Sequence, residues 1–304
     1  METNKKKILS ICVPVFNRIS LLERLLKSIK CNEPKLIEVI INDDGSVDDI
    51  KGLIDLYKKK DKKITYKYFR QKNMGVAHAM INAYKKSNGK YCIKMDTDDI
   101  FLKHGIDNIL RILKDNELNF SLNKKICGII FGTKLIKKNK IIINCLPDKK
   151  VTNFLAIRAD LNNLYDCKEV VKRDIILKRQ IPVPLVNRVV QQSWLAMANF
   201  HDCITSKIIV AQKEYLDDGL SSHSAIGYKV REAKILAKMN VKISESKRYK
   251  SKLFKYRTEL LAQKYAFHAN IRIIKSFRNF VFAILAWPFY HYEKKLYKSI
   301  FKDK

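Results

Sequence analysis

Apolar and polar residues follow two rhythms over the first hundred positions. Ile8 to Val15 is an apolar, β-rich run interrupted by Ser10 and Pro14, which predicts a buried strand. Leu21, Leu22, Leu25, Leu26 and Ile29 then recur at helical spacing, with Ser20 placed to cap the helix they predict. Leu36 to Ile41 is a second strand-like run, and it ends in Asn42-Asp43-Asp44-Gly45-Ser46, which is loop chemistry. Asp48 to Tyr57 suits a helix, Ile64 to Phe69 alternates like a strand, and Val76 to Lys86 suits a helix again. Tyr91 to Met95 is a third buried-type strand and stops at Asp96. Strands alternating with helices predict an α/β fold with a mostly parallel, Rossmann-like sheet flanked by helices.

The pattern loosens after residue 105. Ile126 to Thr133 and Lys140 to Cys145 read as a β pair, Pro147 is a break just after it, and Pro182 and Pro184 interrupt a mixed segment from about Thr152 to Ser222. Tyr228 to Asn240 is a further helix candidate. From Lys247 onward 15 Lys and Arg stand against 3 acids, so the expected division is a catalytic-type domain over 1–222 and a helical, basic C-terminal extension over 223–304.

Composition sharpens this picture. In 304 residues, 61 Lys and Arg face 30 Asp and Glu, a net charge of +31 that points to an anionic partner: nucleic acid, an acidic membrane face, or phosphate-bearing substrates. A lysine bias that merely keeps the surface solvated gives the same excess. Seven cysteines without a Cys-x-x-Cys pair, with Cys12, Cys92 and Cys127 inside apolar runs, fit a reducing cytosol rather than a disulfide framework. The N-terminal residues lack the pattern of a signal peptide. The longest uncharged stretch, Asn279 to Tyr292, contains Pro288 and is short for a membrane span.

Parallel sheets bind ligands at the carboxyl ends of their strands. Here those ends read Pro14-Val15-Phe16-Asn17, Asn42-Asp43-Asp44-Gly45-Ser46 and Asp96-Thr97-Asp98-Asp99. An Asp-x-Asp spacing on a strand-exit turn can point two carboxylates at one hard divalent cation, with phosphate oxygens completing its shell. Such an ion neutralises a leaving diphosphate. Taken alone the same residues make an ordinary Asp-rich turn; three loops converging on one edge point to a site. A carboxylate at Asp43 or Asp44 can accept the imide proton of a base or a ribose hydroxyl. Asn73-Met74-Gly75 precedes a helix whose N-terminal NH groups can face phosphate, with His78 and Asn82 one and two turns on.

The segments Ile11-Cys12-Val13-Pro14-Val15-Phe16-Asn17-Arg18, Val39 to Asp49, Asn73-Met74-Gly75 and Ile93-Lys94-Met95-Asp96-Thr97-Asp98-Asp99 resemble, in order and spacing, the family 2 glycosyltransferases, which have the GT-A fold. The resemblance is specific over about residues 8–105, and Lys213 to Ser221 resembles a segment of a branch that serves bacterial surface-polysaccharide assembly. It implies a nucleotide-diphospho-sugar donor, a UDP-sugar, and a saccharide or lipid-linked acceptor. It further implies that Pro14, Phe16 and Asn17 line the base, that Asp44 binds it with Asp43 in its surroundings, and that Asp96 contacts ribose or phosphate beside Thr97. Asn73 and His78, at the start of the predicted helix, are expected to complete the donor site, although a lone histidine on a helix is also an ordinary surface or core residue. Asp98, with Asp99, would hold Mn2+ or Mg2+. Members of this family usually invert the anomeric centre, so the acceptor hydroxyl needs a general base. The family commonly offers an acid at a helix start on the acceptor side, but the matching stretch Val189 to Trp194 carries Gln191 and Gln192, and an amide cannot take the proton. Asp202 is the nearby acid expected to serve; Asp166, Glu169 and Asp174 are other acids of the region.

The tail places Arg272, Lys275 and Arg278 before an apolar, aromatic run, Phe280 to Tyr290, and Lys294, Lys295 and Lys298 after it. That arrangement suits an interfacial anchor on an anionic leaflet, and predicts a cytoplasmic protein peripheral on the inner face of the membrane. A helix packed on its own domain is the other reading of the same residues. Two competing functions follow from single features. The charge alone suggests nucleic-acid binding, but no nucleic-acid module is recognisable, so no such partner is expected. Asp96-x-Asp98 after an apolar strand suggests a phosphatase with an aspartyl nucleophile, but that motif usually lies on an early strand.

Overall fold

The computed structural model describes residues 6–137, 140–153, 167–179, 197–198, 200–214, 233–245, 252–274 and 277–301. They fall into two compact units, one ending at Glu214 and one running from Ala233.

The first unit begins with the predicted alternation. Strand β1 (Leu9–Val15), helix α1 (Ile19–Ser28), β2 (Ile37–Asp43), α2 (Ile50–Lys60), β3 (Thr65–Arg70), α3 (Val76–Lys86) and β4 (Tyr91–Lys94) follow in order. All seven residues of β1 and of β2 are buried, as runs covered on both faces require. The strands pair in the order β3-β2-β1-β4, and every pairing among them is parallel. The chain returns to opposite sides of β1, so the crevice between the carboxyl ends of β1 and β4 is the topological switch point of the sheet.

The sheet then changes character. Strands β5 (Asp99–Phe101), β6 (Ile126–Lys137), β7 (Lys140–Asn144), β8 (Val151–Thr152), β9 (Lys168–Lys172) and β10 (Asp202–Glu214) complete ten strands, continuing the order as β4-β9-β6-β10-β5. β9 is antiparallel to both β4 and β6, β6 and β10 are parallel, and β5 is antiparallel to β10. Helices α4 (Gly105–Asp115), α5 (Glu117–Leu122) and α6 (Arg173–Arg179) flank this half. The expected pair of strands near residues 126–145 is β6 with β7.

Two local details differ from the expectations. α1 starts at Ile19, so Ser20 lies inside it and caps nothing; the side chain of Asp48, from the loop after β2, accepts the Ile19 N–H at 3.0 Å. α2 starts two residues later than Asp48 and is capped by Asp49, whose carboxylate accepts the Gly52 N–H at 2.8 Å. A free loop carboxylate serves one helix and its neighbour serves the next.

The second unit holds α7 (Ala233–Ser244), α8 (Lys252–His268) and α9 (Phe277–Phe301). α8 and α9 meet through ring contacts such as Phe267 with Trp287 at 5.1 Å, and Ala262 and Ala266 of α8 and Ala283 and Ala286 of α9 are buried. No helix among the described residues is long and apolar enough to cross a membrane.

Candidate active site

The three predicted loops meet at the carboxyl edge of β1, β2 and β4. β1 ends into Phe16 and Asn17, both exposed, while Pro14 is buried within the strand. Asn17 takes a left-handed backbone, φ 50°, which asparagine tolerates better than most residues. Its N–H donates to Ser46 Oγ at 3.0 Å, and its side-chain oxygen accepts the Val47 N–H at 2.8 Å, tying the β1 exit to the β2 exit. Arg18, next in sequence, brings Nη1 to 3.8 Å from Asp98 Oδ2, tying the β1 exit to the β4 exit.

Asp43 and Asp44 are both buried, and their carboxylates are fully engaged. Asp43 accepts the Ser46 N–H at 2.8 Å and the Tyr68 hydroxyl at 2.7 Å. Burial and that hydrogen bond push the Tyr68 phenol up to about 12, so it remains a donor. Asp44 accepts Gln71 Nε2 at 2.7 Å, Met74 N–H at 2.9 Å and Gly75 N–H at 2.8 Å. The anion held by the turn before α3 is therefore Asp44 itself. Gln71 is oriented in turn by Asn42 and Asn82, which donate to its Oε1 at 2.9 and 2.5 Å. Gly45 has φ 84°, and a Cβ there would meet the Asn73 backbone nitrogen at 3.0 Å, so this turn requires glycine. Asn73 is exposed at its rim, and His78 is buried on the first turn of α3 with no hydrogen-bond partner at Nε2 among the described residues.

At the β4 exit, Asp96, Asp98 and Asp99 each offer a carboxylate oxygen, and these atoms all lie within 4.8 Å of one another. An all-oxygen set of this size fits a hard divalent cation. The three carboxylates are not alike. Asp99 is fully buried, contacts the Lys168 ammonium, and accepts the Asp96 N–H at 3.2 Å. Asp96 is partly open and lies 2.6 Å from Lys94 Nζ. Burial raises the Asp96 carboxyl, but the ammonium groups of Lys94, Lys213 and Lys168 outweigh it and hold the group well below the usual carboxylate range. Burial, with the like charges of Asp99 and Asp96, pushes the Asp98 carboxyl up instead. Thr97 is buried between them. Arg24 of α1 clamps the turn from outside, with Nη2 on the Asp98 carbonyl at 2.9 Å and Nη1 on Glu214 at 2.6 Å.

Asp202 is the predicted residue that does not join this edge. It begins β10, whose far end carries Lys213, the residue paired with Asp99. Those positions are roughly 35 Å apart along an extended strand, so Asp202 cannot take a proton at the acidic turn. Its separation from the site depends on the register of β10, which local sequence does not reveal. Glu169 lies on β9, and the exposed Asp174 accepts the Ile175 N–H at the start of α6. Gln191, Gln192 and Asp166 lie outside the described residues. Lys168, Lys213 and Arg24 carry no local sequence signal for a place at this site. Lys94 alone left a local signal, as a cation inside the apolar run of β4.

Comparisons with known proteins agree with this geometry. The model of Glycosyl transferase family 2 matches residues 10–142. An uncharacterized glycosyltransferase of Rickettsia conorii is 42% identical over 118 residues, covering 39% of this chain and 19% of the relative. A GalNAc(5)-diNAcBac-PP-undecaprenol beta-1,3-glucosyltransferase of Campylobacter jejuni is 33% identical over 130 residues, covering 43% of this chain and 39% of that protein. The chain thus spans less than half the length of these relatives. Among solved structures, TarS 1-349 of S. aureus in complex with UDP-GlcNAc superposes with a TM-score of 0.59 at 12% identity, over 92% of this chain and 79% of that one. The mannosyltransferase PcManGT from Pyrobaculum calidifontis, in complex with GDP-Man and Mn2+, gives 0.56 at 15% identity, over 99% and 89%. Residues 10–142 thus resemble glycosyltransferase family 2, and the sheet, its switch point and its three convergent loops have the GT-A fold.

Proposed function

We propose that the chain transfers a sugar from a UDP-sugar to a saccharide or lipid-linked acceptor of a bacterial surface polysaccharide, with inversion. The observation that carries this reading is the meeting of the Asn17, Asp44 and Asp98 loops at one edge of a parallel sheet. Support for the donor comes from the UDP-GlcNAc held by the TarS fold neighbour, and for a lipid-linked acceptor from the undecaprenol named for the Campylobacter relative. In this reading residues 1–222 form the transferase domain and 223–304 its extension. Phe16 and Asn17, exposed at the β1 exit, border the base, and Pro14 shapes the strand end behind them. Asp43 and Asp44 hold the base-side loop closed through their hydrogen bonds, with Asn73 at its rim and His78 behind it. Asp96 and Asp98 would hold Mn2+ or Mg2+, with Asp99 behind them and Thr97 between. The ion, when bound, supplies positive charge to the departing diphosphate. The acceptor oxygen bonds to the anomeric carbon from the face opposite the diphosphate as the bond to the diphosphate oxygen breaks, and the acceptor proton passes to a base. Asp202 is too remote to be that base.

The second unit supports a membrane partner. At 100° per residue, Phe280, Val281, Ile284, Leu285, Phe289 and Tyr292 of α9 turn away from the buried Ala283 and Ala286, and all six are exposed. No charged residue falls between Asn279 and Tyr292, while basic residues flank the run. An anionic leaflet matches both the apolar face and its charged borders.

A donor screen tests the reading: hydrolysis of a panel of nucleotide sugars is measured with and without Mn2+. A UDP-sugar cleaved only with metal, and not by Asp98→Ala, is expected. Cleavage of none, or phospho-aspartate trapped by borohydride, rejects it.

A further inference from the structure

The acidic turn carries its own cations. Three lysines from three different strands reach it: Lys94 of β4, Lys168 of β9 and Lys213 of β10. Lys213 Nζ lies 3.4 Å from Asp99 Oδ1 and 3.8 Å from Asp96 Oδ2, bridging the two. These pairs are graded from inside to outside. The Lys168 and Asp99 side chains are 4% and 0% exposed, whereas Lys94 and Asp96 are 19% and 29% exposed. The inner pair also holds backbone: Asp99 accepts the Asp96 N–H, and Lys168 Nζ donates to the Lys94 carbonyl at 3.4 Å. It is a fixed part of the turn. The outer pair makes no other side-chain hydrogen bond among those described, though Lys213 stands 3.8 Å from Asp96, and it is partly open to solvent.

Three ammonium groups on Asp96 and Asp99 and the Arg18 guanidinium near Asp98 therefore already stand against the three carboxylates before any ligand arrives. A divalent cation entering this cluster meets Lys94 already on one carboxylate oxygen of Asp96. A diphosphate entering meets the same ammonium as an attraction. The two ligands of one site feel Lys94 with opposite sign.

We propose that the Lys94–Asp96 pair is exchangeable: Lys94 competes with the metal for Asp96, and its ammonium, displaced by the metal or drawn off by the incoming anion, binds the diphosphate of the donor. Lys94 is then a second source of positive charge for the diphosphate, one that acts even without metal. This rests on the nucleotide-sugar reading, and it adds to that reading a residue and a sign.

The test uses the full chain and two ligands, each measured alone. Mn2+ is titrated without nucleotide and followed by electron paramagnetic resonance; UDP is titrated by calorimetry in EDTA. Lys94→Met is expected to bind Mn2+ roughly tenfold more tightly and UDP roughly tenfold more weakly than wild type, each about 1.4 kcal/mol. Lys94→Arg, which keeps the charge, should return UDP affinity to near the wild-type value. A merely structural role for Lys94 weakens both ligands together, and that result overturns the exchange, as does a Lys94→Met chain unchanged toward both. UDP bound by neither wild type in EDTA nor wild type in Mn2+ rejects the nucleotide-sugar reading itself, and the diphosphate role of Lys94 falls with it. UDP bound by wild type and equally by Lys94→Met rejects Lys94 alone.

Discussion

Single residues at this site divide into those that meet the ligand and those that hold the loops. Asp44 belongs to the second group by its contacts. Its carboxylate accepts two backbone N–H groups and the Gln71 amide. Asp44→Asn puts an amide NH2 where acceptors are needed and should cost about 1–3 kcal/mol, read as a lower urea midpoint, with UDP affinity falling as the turn loosens. A full retention of stability with loss of UDP binding would instead make Asp44 a direct ligand. Lys168 and Asp99 form a buried pair, and removing one partner of such a pair typically costs about 3–5 kcal/mol. Lys168→Met should therefore unfold at markedly lower urea than wild type. Adding Asp99→Asn removes the buried charge that Lys213 alone would then face and should recover part of the loss; a double variant no better than the single one refutes the pairing. At this scale the sequence was legible where chemistry is local. Asn17, Gly45 and the three aspartates stand out because turns and strand exits select them. Lys168 does not, because its partner lies 69 positions away and only β9 inserted beside β4 brings them together.

Elements were legible in proportion to their periodicity. β1 through β4 and the helices between them announce themselves by continuous or helical apolar spacing, and α3 runs from Val76 to Lys86 as the spacing predicts. β9 is invisible by the same criterion: Lys168-Glu169-Val170-Val171-Lys172 is a five-residue strand with charged ends, and its place between β4 and β6 is a tertiary fact. The register of β10 hid the remoteness of Asp202 for the same reason. The parallel strands are also joined at the end opposite the site, by a buried polar knot. Glu38 of β2 accepts Ser10 Oγ of β1 at 2.6 Å, Gly89 N–H at 3.1 Å, the Asn88 N–H, and pairs with Lys67 of β3 at 2.8 Å. Burial raises the Glu38 carboxyl, but the Lys67, Ser10 and Asn88 contacts outweigh it, and the net shift is downward from 4.5. A depressed carboxylate contributes stability that is present above its unfolded value and lost as pH falls through its folded value. Below about pH 4.5 wild type should therefore lose part of its stability through this group. Glu38→Gln should be less stable at pH 7 and show a shallower decline below pH 4.5; parallel acid limbs for the two proteins would exclude Glu38 as a contributor.

At the scale of the whole molecule, the net charge of +31 and the open apolar face of α9 make separable demands on a membrane. Charge acts over a Debye length, about 8 Å at physiological salt and about 3 Å at 1 M. Apolar insertion depends on buried area and survives salt. If charge alone recruits the chain, flotation with vesicles containing anionic lipid vanishes at high salt and is indifferent to α9. If the face inserts, some binding persists at high salt and depends on Ile284 and Leu285, which are 58% and 53% exposed. Replacing both with Glu adds two negative charges to an anionic surface and removes two apolar anchors, without touching the buried Ala283 and Ala286 that pack the helix. The expected result is a double variant with an unchanged circular dichroism melt that no longer floats at 0.5 M salt (about a threefold excess over physiological strength), while wild type still does. Wild type released completely by salt would reduce the tail to a polycation, and the apolar face of α9 would then need a cover other than lipid.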